Sequence, residues 1–458
     1  MGCLSSKEEG GGSVGHGSGK GHAVEKAEPS PTFGVEGDYK VMQMLGEGGS
    51  GQTYLCKAHD GGQTVAIKFI RRPVPKVVLP MLMHEIMIQA ELGDGHVNLV
   101  AAHAVLVTDT HLGIVMEYAS GGNLTEYVTE RWDSSEERGG IFLTEEEARY
   151  FFRQYIDAVE YLHAHRVAHR DLKLDNIVLD GHSPPWVKVC DFGFAKHWSG
   201  AGATMHTQIG TPVYMSPQLI ISKETNEGYD GRKADIWACG ILLFVMLLGM
   251  FPYDHPDHPD PNSSAAHNEV FRQQIRTAWQ KCPNVGDMAT KLSPQCCDLL
   301  DRMFDRDEAT RITLAQIKKH PWYNMPVTPE LQSALDHVRE TQEDIQRHTV
   351  TNGATHNEPQ RKADLTVLLD IASRDPPRKG QPSAAMRVVS LSTQVHPCHA
   401  LGTVECPDGR SGNLNVCGGK PGLIGSEASS AAAAAVDNNG VELKLDRDSS
   451  GASVVRTD

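Results

Sequence analysis

The run His169-Arg170-Asp171-Leu172-Lys173-Leu174-Asp175-Asn176, followed downstream by Asp191-Phe192-Gly193, decides how this chain reads. Its residue types are the ones phosphoryl transfer needs. One acid takes the proton of an attacking hydroxyl, a lysine meets phosphate charge, and an amide and a second acid hold Mg²⁺ against nucleotide phosphates. In that arrangement Asp171 is the base, Lys173 the phosphate contact, and Asn176 and Asp191 the metal ligands.

Short strings arise by chance, so the test is whether the remaining parts lie upstream, in order, on suitable elements. Gly46-Glu47-Gly48-Gly49-Ser50-Gly51 has the G-x-G-x-x-G spacing and follows Tyr39-Lys40-Val41-Met42-Gln43-Met44-Leu45, whose apolar and aromatic residues suit a strand. Glycines let the backbone close over phosphates without Cβ obstruction, although a flexible turn has the same composition. Val65-Ala66-Ile67-Lys68, on a second strand-like run, places an ammonium where it can hold the α and β phosphates of ATP. A lone strand lysine would instead be a solvated edge charge. Glu85 lies in the helix-compatible run Met81-Leu82-Met83-His84-Glu85-Ile86-Met87-Ile88 and is the partner that orients Lys68. Five ordered parts make coincidence implausible.

From about Tyr39 to Tyr323 the chain resembles a complete protein kinase domain of the serine/threonine type, whose mark is Lys173 after His-Arg-Asp. Within that type it resembles the calcium/calmodulin-dependent kinase group, and there the plant stress kinases related to the sucrose-nonfermenting family. The closer likeness is carried by Val115-Met116-Glu117-Tyr118-Ala119-Ser120-Gly121-Gly122, Gly228-Tyr229-Asp230-Gly231-Arg232-Lys233-Ala234-Asp235-Ile236-Trp237 and Lys319-His320-Pro321-Trp322. The resemblance implies an α+β, two-lobed protein kinase fold. Its small lobe (about 39–119) would be an antiparallel sheet with one main helix, and its large lobe (about 120–323) mostly helical. It implies ATP and Mg²⁺ as cofactors, protein substrates, and activation by an upstream kinase or by autophosphorylation. ATP would then lie under Leu45, Gly46, Glu47, Gly48, Gly49, Ser50 and Gly51. Thr53 would stand beneath adenine and Met116 as gatekeeper, with the backbone of Glu117 and Ala119 bonding adenine in the hinge.

The same resemblance marks Thr207, three residues before Gly210-Thr211-Pro212, as the activating phosphorylation site, with Lys196 and Arg170 as cations for the phosphate. Thr204 and Ser199 are the alternatives, and an unmodified loop threonine is a further one. Several positions depart from the family. Ser216-Pro217-Gln218 replaces Ala-Pro-Glu, so a buried ion pair to Arg311 becomes a neutral-acceptor hydrogen bond. Ser50 replaces an aromatic at the loop tip, and Thr53 a valine. Asn123 stands where relatives directed at basic substrates carry an acid. Gln218, Ser50 and the long tail motivate a rival reading, an inactive kinase-fold scaffold at a membrane; the complete Lys68, Glu85, Asp171, Asn176 and Asp191 set speaks against it.

Composition argues for one folded unit with tails at 1–38 and 324–458. Beyond Tyr323 the chain holds no Phe, Trp or Tyr, and runs such as Ser429-Ser430-Ala431-Ala432-Ala433-Ala434-Ala435 replace periodic patterns. Such segments bury too little apolar surface to offset ordering entropy, so most of the tail is expected to be disordered, like the Gly/Ser-rich start. One tail segment, 363–374, places Leu365, Leu368, Leu369 and Ala372 at helical spacing. It is either a docking helix, resembling the segment that packs on the small-lobe helix of the plant stress kinases, or a transient amphipathic turn. Inside the folded unit, Thr144 and Glu147 form a T-x-x-E capping box for a helix from Thr144 to Leu162. Ile236 to Phe251 carries no charge but is too short to span a membrane, and Asp235 at its start is expected to cap the catalytic loop.

Met1-Gly2-Cys3-Leu4-Ser5-Ser6 fits M-G-x-x-x-[ST]. This makes Gly2 a candidate for myristoylation and Cys3 for palmitoylation, the alternative being an unmodified flexible start. Two acyl chains would hold the chain at the cytoplasmic face of a membrane, the plasma membrane being the expected one; without them it would be cytoplasmic. The ten cysteines form no compact disulfide framework. His396, Cys398, His399, Cys406 and Cys417 lack the paired spacing of a zinc site. A formal net charge of −15 argues against nucleic acid as a partner and leaves membrane attachment to acyl chains.

Overall fold

The computed structural model describes residues 32–48, 51–59, 61–198, 204–206, 210–225, 227–254, 263–351, 358–377 and 386–391. The small lobe is built on strands β1 (Tyr39–Gly48), β2 (Gly51–Ala58), β3 (Thr64–Arg71), β4 (Ala102–Val107) and β5 (His111–Glu117), with helix α1 (Leu79–Leu92) between β3 and β4. Neighbouring strands pair antiparallel, in the order β1-β2-β3-β5-β4. β3 reads as a β-rich run because Val65, Ile67 and Phe69 all point into one apolar face, where they are buried. That alternation leaves Lys68 on the opposite face, paired across from Thr53 and Ile114.

Helix α2 (Glu145–Ala164) and helix α3 (Gly231–Leu248) carry the large lobe's core. In α3 every residue from Ala234 to Leu248 is buried, and Gly249 (φ 63°) ends the helix in the left-handed conformation that glycine tolerates. Thr144 caps α2 by accepting from the Glu147 N–H at 3.2 Å. The reciprocal half of the expected capping box differs: the Glu147 carboxylate is drawn aside to the Tyr127 hydroxyl and to Arg131. Two short antiparallel strands, β6 (Ile177–Leu179) and β7 (Val187–Val189), follow the catalytic loop.

Packing extends beyond 39–323 at both ends. Upstream, Phe33 stacks on Phe69 with ring centroids 4.0 Å apart and planes 3° from parallel, and Phe33 and Val35 are buried. Downstream, helix α4 (Pro329–Thr351) lays Leu331, Ala334 and Leu335 against the main core and Val338 against Val97 and Trp186. Helix α5 (Glu358–Ser373) buries Leu365, Leu368, Leu369 and Ala372 with Leu82, Ile86 and Ala90 of α1. Strand β8 (Arg387–Ser390) then pairs antiparallel with β4 as a sixth strand of the described sheet. Helix α5 contains the segment 363–374 expected as a candidate docking helix, whereas Phe33, Val35, α4 and β8 add packing that the composition reading of 1–38 and 324–458 as tails did not contain. The lack of aromatics is an average over the whole tail, and it hides two further stretches, α4 and β8, whose aliphatic residues meet apolar surface supplied by the lobes. Each fully buried leucine is worth about 1.5–3 kcal/mol, enough to order a helix that is marginal alone.

The loop between α1 and β4 is gripped by α4. The Val97 N–H donates to Gln342 Oε1 at 2.8 Å, and Gln342 Nε2 donates to the Gly95 carbonyl at 3.0 Å. His96 lies between them, its Nδ1 accepting from the Asn98 N–H. Burial, aided by Lys188, Lys318 and His165, pushes its pKa down to about 4. The unfolded chain therefore binds more protons than the folded one between about pH 4 and 6.5, and stability falls as pH drops through that window. His96→Gln is expected to flatten the pH dependence of the denaturant-derived unfolding free energy there, by up to about 3 kcal/mol.

Candidate active site

The catalytic loop is held from below by α3. Asp235, buried at the start of that helix, accepts from the backbone N–H of His169 (3.0 Å) and of Arg170 (2.8 Å), and its Oδ2 lies 2.8 Å from His163 Nε2. This anchoring holds Arg170 at φ 66°, a costly conformation for a residue with a side chain. The next residue, Asp171, is thereby aimed into the cleft. Its Oδ1 accepts from the Thr211 N–H (3.2 Å) and hydroxyl (3.1 Å). Its Oδ2 accepts from Asn176 Nδ2 (3.1 Å) and lies 3.0 Å from Lys173 Nζ. Asn176 Nδ2 also donates to the Asp171 carbonyl at 2.8 Å, which turns the amide oxygen away as the atom available to a cation.

Across the cleft, Lys68 Nζ lies 3.0 Å from Glu85 Oε1, joining β3 to α1, and both side chains are largely buried. Burial alone would lower the Lys68 pKa, but the carboxylates of Glu85 and Asp191 outweigh it and hold the pKa above its ordinary value. The ammonium is therefore charged at neutral pH. Asp191 sits at φ 62°, with its Oδ1 accepting from the Gly193 N–H at 3.2 Å, while Phe192 is buried in the large lobe's core. Burial raises the neighbouring Cys190 thiol to about 12, so it is protonated at neutral pH.

The roof is the β1–β2 hairpin, where Gly46 faces Thr53, Glu47 faces Gln52 and Gly48 faces Gly51. Gly51 (φ 151°) is required by the sheet itself, since a Cβ there would collide with the Phe69 carbonyl. At Gly46 and Gly48, among the described residues, no atom beyond the chain neighbours lies within 4 Å of where a Cβ would sit. Internal packing does not call for glycine at those two positions. Leu45 is exposed and Thr53 half-buried. At the cleft's back, Met116 is half-buried, and the Glu117 N–H is engaged by the Ala101 carbonyl at 2.9 Å. A ligand contact from Glu117's backbone thus falls to its carbonyl. The Glu117 carboxylate pairs with Lys188 at 2.5 Å, and Ala119 follows β5 in the connection to the large lobe.

Lys68 thus pairs with Glu85 and feels Asp191, while Asp171, Lys173 and Asn176 form a second contact group. Gly2, Cys3, Gly49, Ser50 and Thr207 lie outside the described residues, as do the His and Cys residues from His396 to Cys417. Among the contacts that escaped the sequence reading are Thr211 on Asp171 and Lys188 on Glu117. Both pair residues far apart in the chain, and no local pattern announces them. Gln218 Oε1 accepts from Arg311 Nη2 at 2.7 Å, and burial lowers the Arg311 pKa to about 10 despite nearby Glu308 and Asp305.

The family model described as protein kinase domain matches residues 39–323. The chain belongs to the protein kinase family. Among its relatives, the serine/threonine-protein kinase SAPK9 of Oryza sativa subsp. japonica is 37% identical over 319 residues, covering 67% of this chain and 79% of the relative. The serine/threonine-protein kinase SRK2H of Arabidopsis thaliana is 38% identical over 314 residues, covering 66% and 77%. SRK2E of the same plant is 37% identical over 294 residues, covering 63% and 72%. The protein is accordingly a serine/threonine protein kinase, an enzyme class that uses ATP with Mg²⁺ and acts on protein substrates. No described helix is long and apolar enough to cross a membrane.

At Gln218 this kinase carries a neutral acceptor against a buried guanidinium. Gln218→Glu is expected to stabilise the fold by about 1–2 kcal/mol at pH 7, because a charge-assisted bond replaces the neutral one. The gain should vanish as pH falls through the new carboxylate's depressed pKa. Thermal unfolding of the two proteins compared at pH 7 and stepwise below pH 4 checks both parts, the difference between them shrinking only below the ordinary carboxylate range.

Proposed function

We propose that Asp171 orients and deprotonates the substrate hydroxyl while Lys173 and Lys68 stabilise charge on the transferring and nonbridging phosphate oxygens. The observation that carries this is the Lys68–Glu85 pair at 3.0 Å, facing the Asp171–Lys173–Asn176 cluster and drawn on by Asp191. Asn176 and Asp191 would hold Mg²⁺; the free amide oxygen of one and the carboxylate of the other are hard oxygen donors of the kind that ion takes. The cation supplies charge neutralisation between the phosphates, and positioning does the rest. Gly46, Glu47, Gly48, Gly49, Ser50 and Gly51 would cover the phosphates, an assignment supported at Gly46 and Gly48 by the lack of any packing reason for glycine. Leu45, Thr53, the Glu117 carbonyl and the Ala119 backbone would frame the adenine.

Around the activation segment, Arg170, Lys196, His84 and His197 gather close enough for the three others to lower the His84 pKa, after burial, the largest cause. That basic cluster supports Thr207 as the phosphate-bearing residue, whether modified by an upstream kinase or by the enzyme itself. Docking of α5 on α1 would favour the aligned position of Glu85 without that phosphate, a mode of control suited to stress signalling. The motif at Gly2 and Cys3 supports attachment by two acyl chains to the cytoplasmic face of a membrane, which the net charge of −15 would otherwise oppose.

Transfer of labelled γ-phosphate from Mg-ATP to a peptide library tests the assignment. Asp171→Asn is expected to lower the rate by at least about 10³-fold with ATP binding nearly intact, in the range of general-base contributions. Lys68→Met should lower both; a wild-type rate in either variant sinks the role given. For attachment, Gly2→Ala is expected to move the protein from the membrane pellet to the supernatant on cell fractionation.

A further inference from the structure

The turn from Arg72 to Val78 joins the strand that carries Lys68 to the helix that carries Glu85, so its position bears on whether the two can pair. Arg72 is buried in that turn. Its Nη1 donates to the Thr108 carbonyl at 2.5 Å. Its Nη2 donates to the Ile371 carbonyl at 2.5 Å and to that of Arg374 at 3.5 Å. Two residues on, the Val74 N–H donates to the Ala372 carbonyl at 3.0 Å. Ile371, Ala372 and Arg374 are the last turn of α5 and the residue beyond it. Carbonyls at a helix's C-terminal end lack the full intrahelical set of partners and carry the negative end of its dipole; that of Ile371 also accepts from the Arg374 N–H at 3.2 Å. A guanidinium fork is suited to them because it is planar, always charged and able to reach two acceptors at once. α5 is thus held to the connector by its C-terminal carbonyls as well as to α1 by its leucines.

We propose that Arg72 is a positioning residue for phosphoryl transfer. By clasping the C-terminal carbonyls of α5 against the β3–α1 connector, it makes the alignment of Lys68 with Glu85 depend on whether that helix is docked. The inference rests on the reading that docked α5 favours the aligned Glu85, and deepens it by naming the residue through which the helix's presence is transmitted. Arg72 itself touches none of the reacting groups.

The test is a double-mutant cycle in the full chain: wild type, Arg72→Gln, Leu368→Asp and the double variant. It reads kcat and KM for ATP, together with hydrogen exchange of the α5 amides. Each single substitution is expected to lower kcat/KM about ten- to a hundredfold, the span of hydrogen bonds to charged groups. The double variant should be no slower than the slower single one, since both act through the same docked helix. Arg72→Gln should also lose exchange protection in α5, and Arg72→Lys should recover part of the rate, one ammonium still reaching a carbonyl. Multiplying losses in the double variant would overturn the proposal, because Arg72 would then be serving the small lobe through Thr108 alone. A wild-type rate for Arg72→Gln with a slowed Leu368→Asp would also overturn it while leaving the docking reading intact. A wild-type rate for Leu368→Asp would remove the docking reading, and the proposal with it. If Arg72→Gln does not fold, Arg72→Lys carries the test, and undiminished α5 protection in it with a wild-type rate overturns the proposal.

Discussion

The ion pair between Lys68 and Glu85 is the constraint on which the rest of the molecule depends. Its two members come from a strand and a helix that no hydrogen-bond ladder joins, and both are largely buried. Separating them would leave an uncompensated charge away from water, at a cost of about 3–5 kcal/mol for a buried pair that loses one partner. Whatever holds α1 against the sheet therefore also holds the cleft in working order. Three groups of contacts do so. The helix's inner residues Leu82 and Ile86 pack beneath β4 and β5; α5 covers the same cluster from outside; and α4 grips the loop that follows α1 through Gln342. Two of those three come from beyond residue 323.

The large lobe's half of the site is built in a stiffer way. Asp235 takes two backbone N–H groups of the catalytic loop from a helix buried along nearly its whole length, and the left-handed conformations at Arg170 and Asp191 are paid for by that surrounding packing. The Asp171 carboxylate is then enclosed by Thr211, Asn176 and Lys173. The two halves thus differ in kind. One is fixed by a continuous core, and the other by a helix whose position is shared among several separate contacts.

Much of this was legible in the order of residues. The family, the Lys68–Glu85 pair and the candidate catalytic loop could be read because each chemical role admits few residue types and the spacings between them are set by short elements. Helix α4 carries a signal of its own, Leu331, Ala334, Leu335, Val338 and Ile345 recurring near helical spacing, but the tail's average composition, without aromatics, dilutes it. Strand β8 had no comparable signal. Four residues, Arg387-Val388-Val389-Ser390, suit a strand anywhere, and only the open edge of β4 selects them. Arg72 likewise reads as an ordinary basic residue, since its partners at 371 and 374 are some three hundred residues away.

The sequence by itself determined the enzyme class and the candidate groups for its chemistry, because the acid, the amide, the lysines and the glycines stand in local motifs whose spacing survives without knowledge of the fold. Only the tertiary structure decided where the folded unit ends and what holds α1 in place. Those outcomes rest on contacts between segments remote in the chain, whose burial energy exists only once the opposing surface has formed.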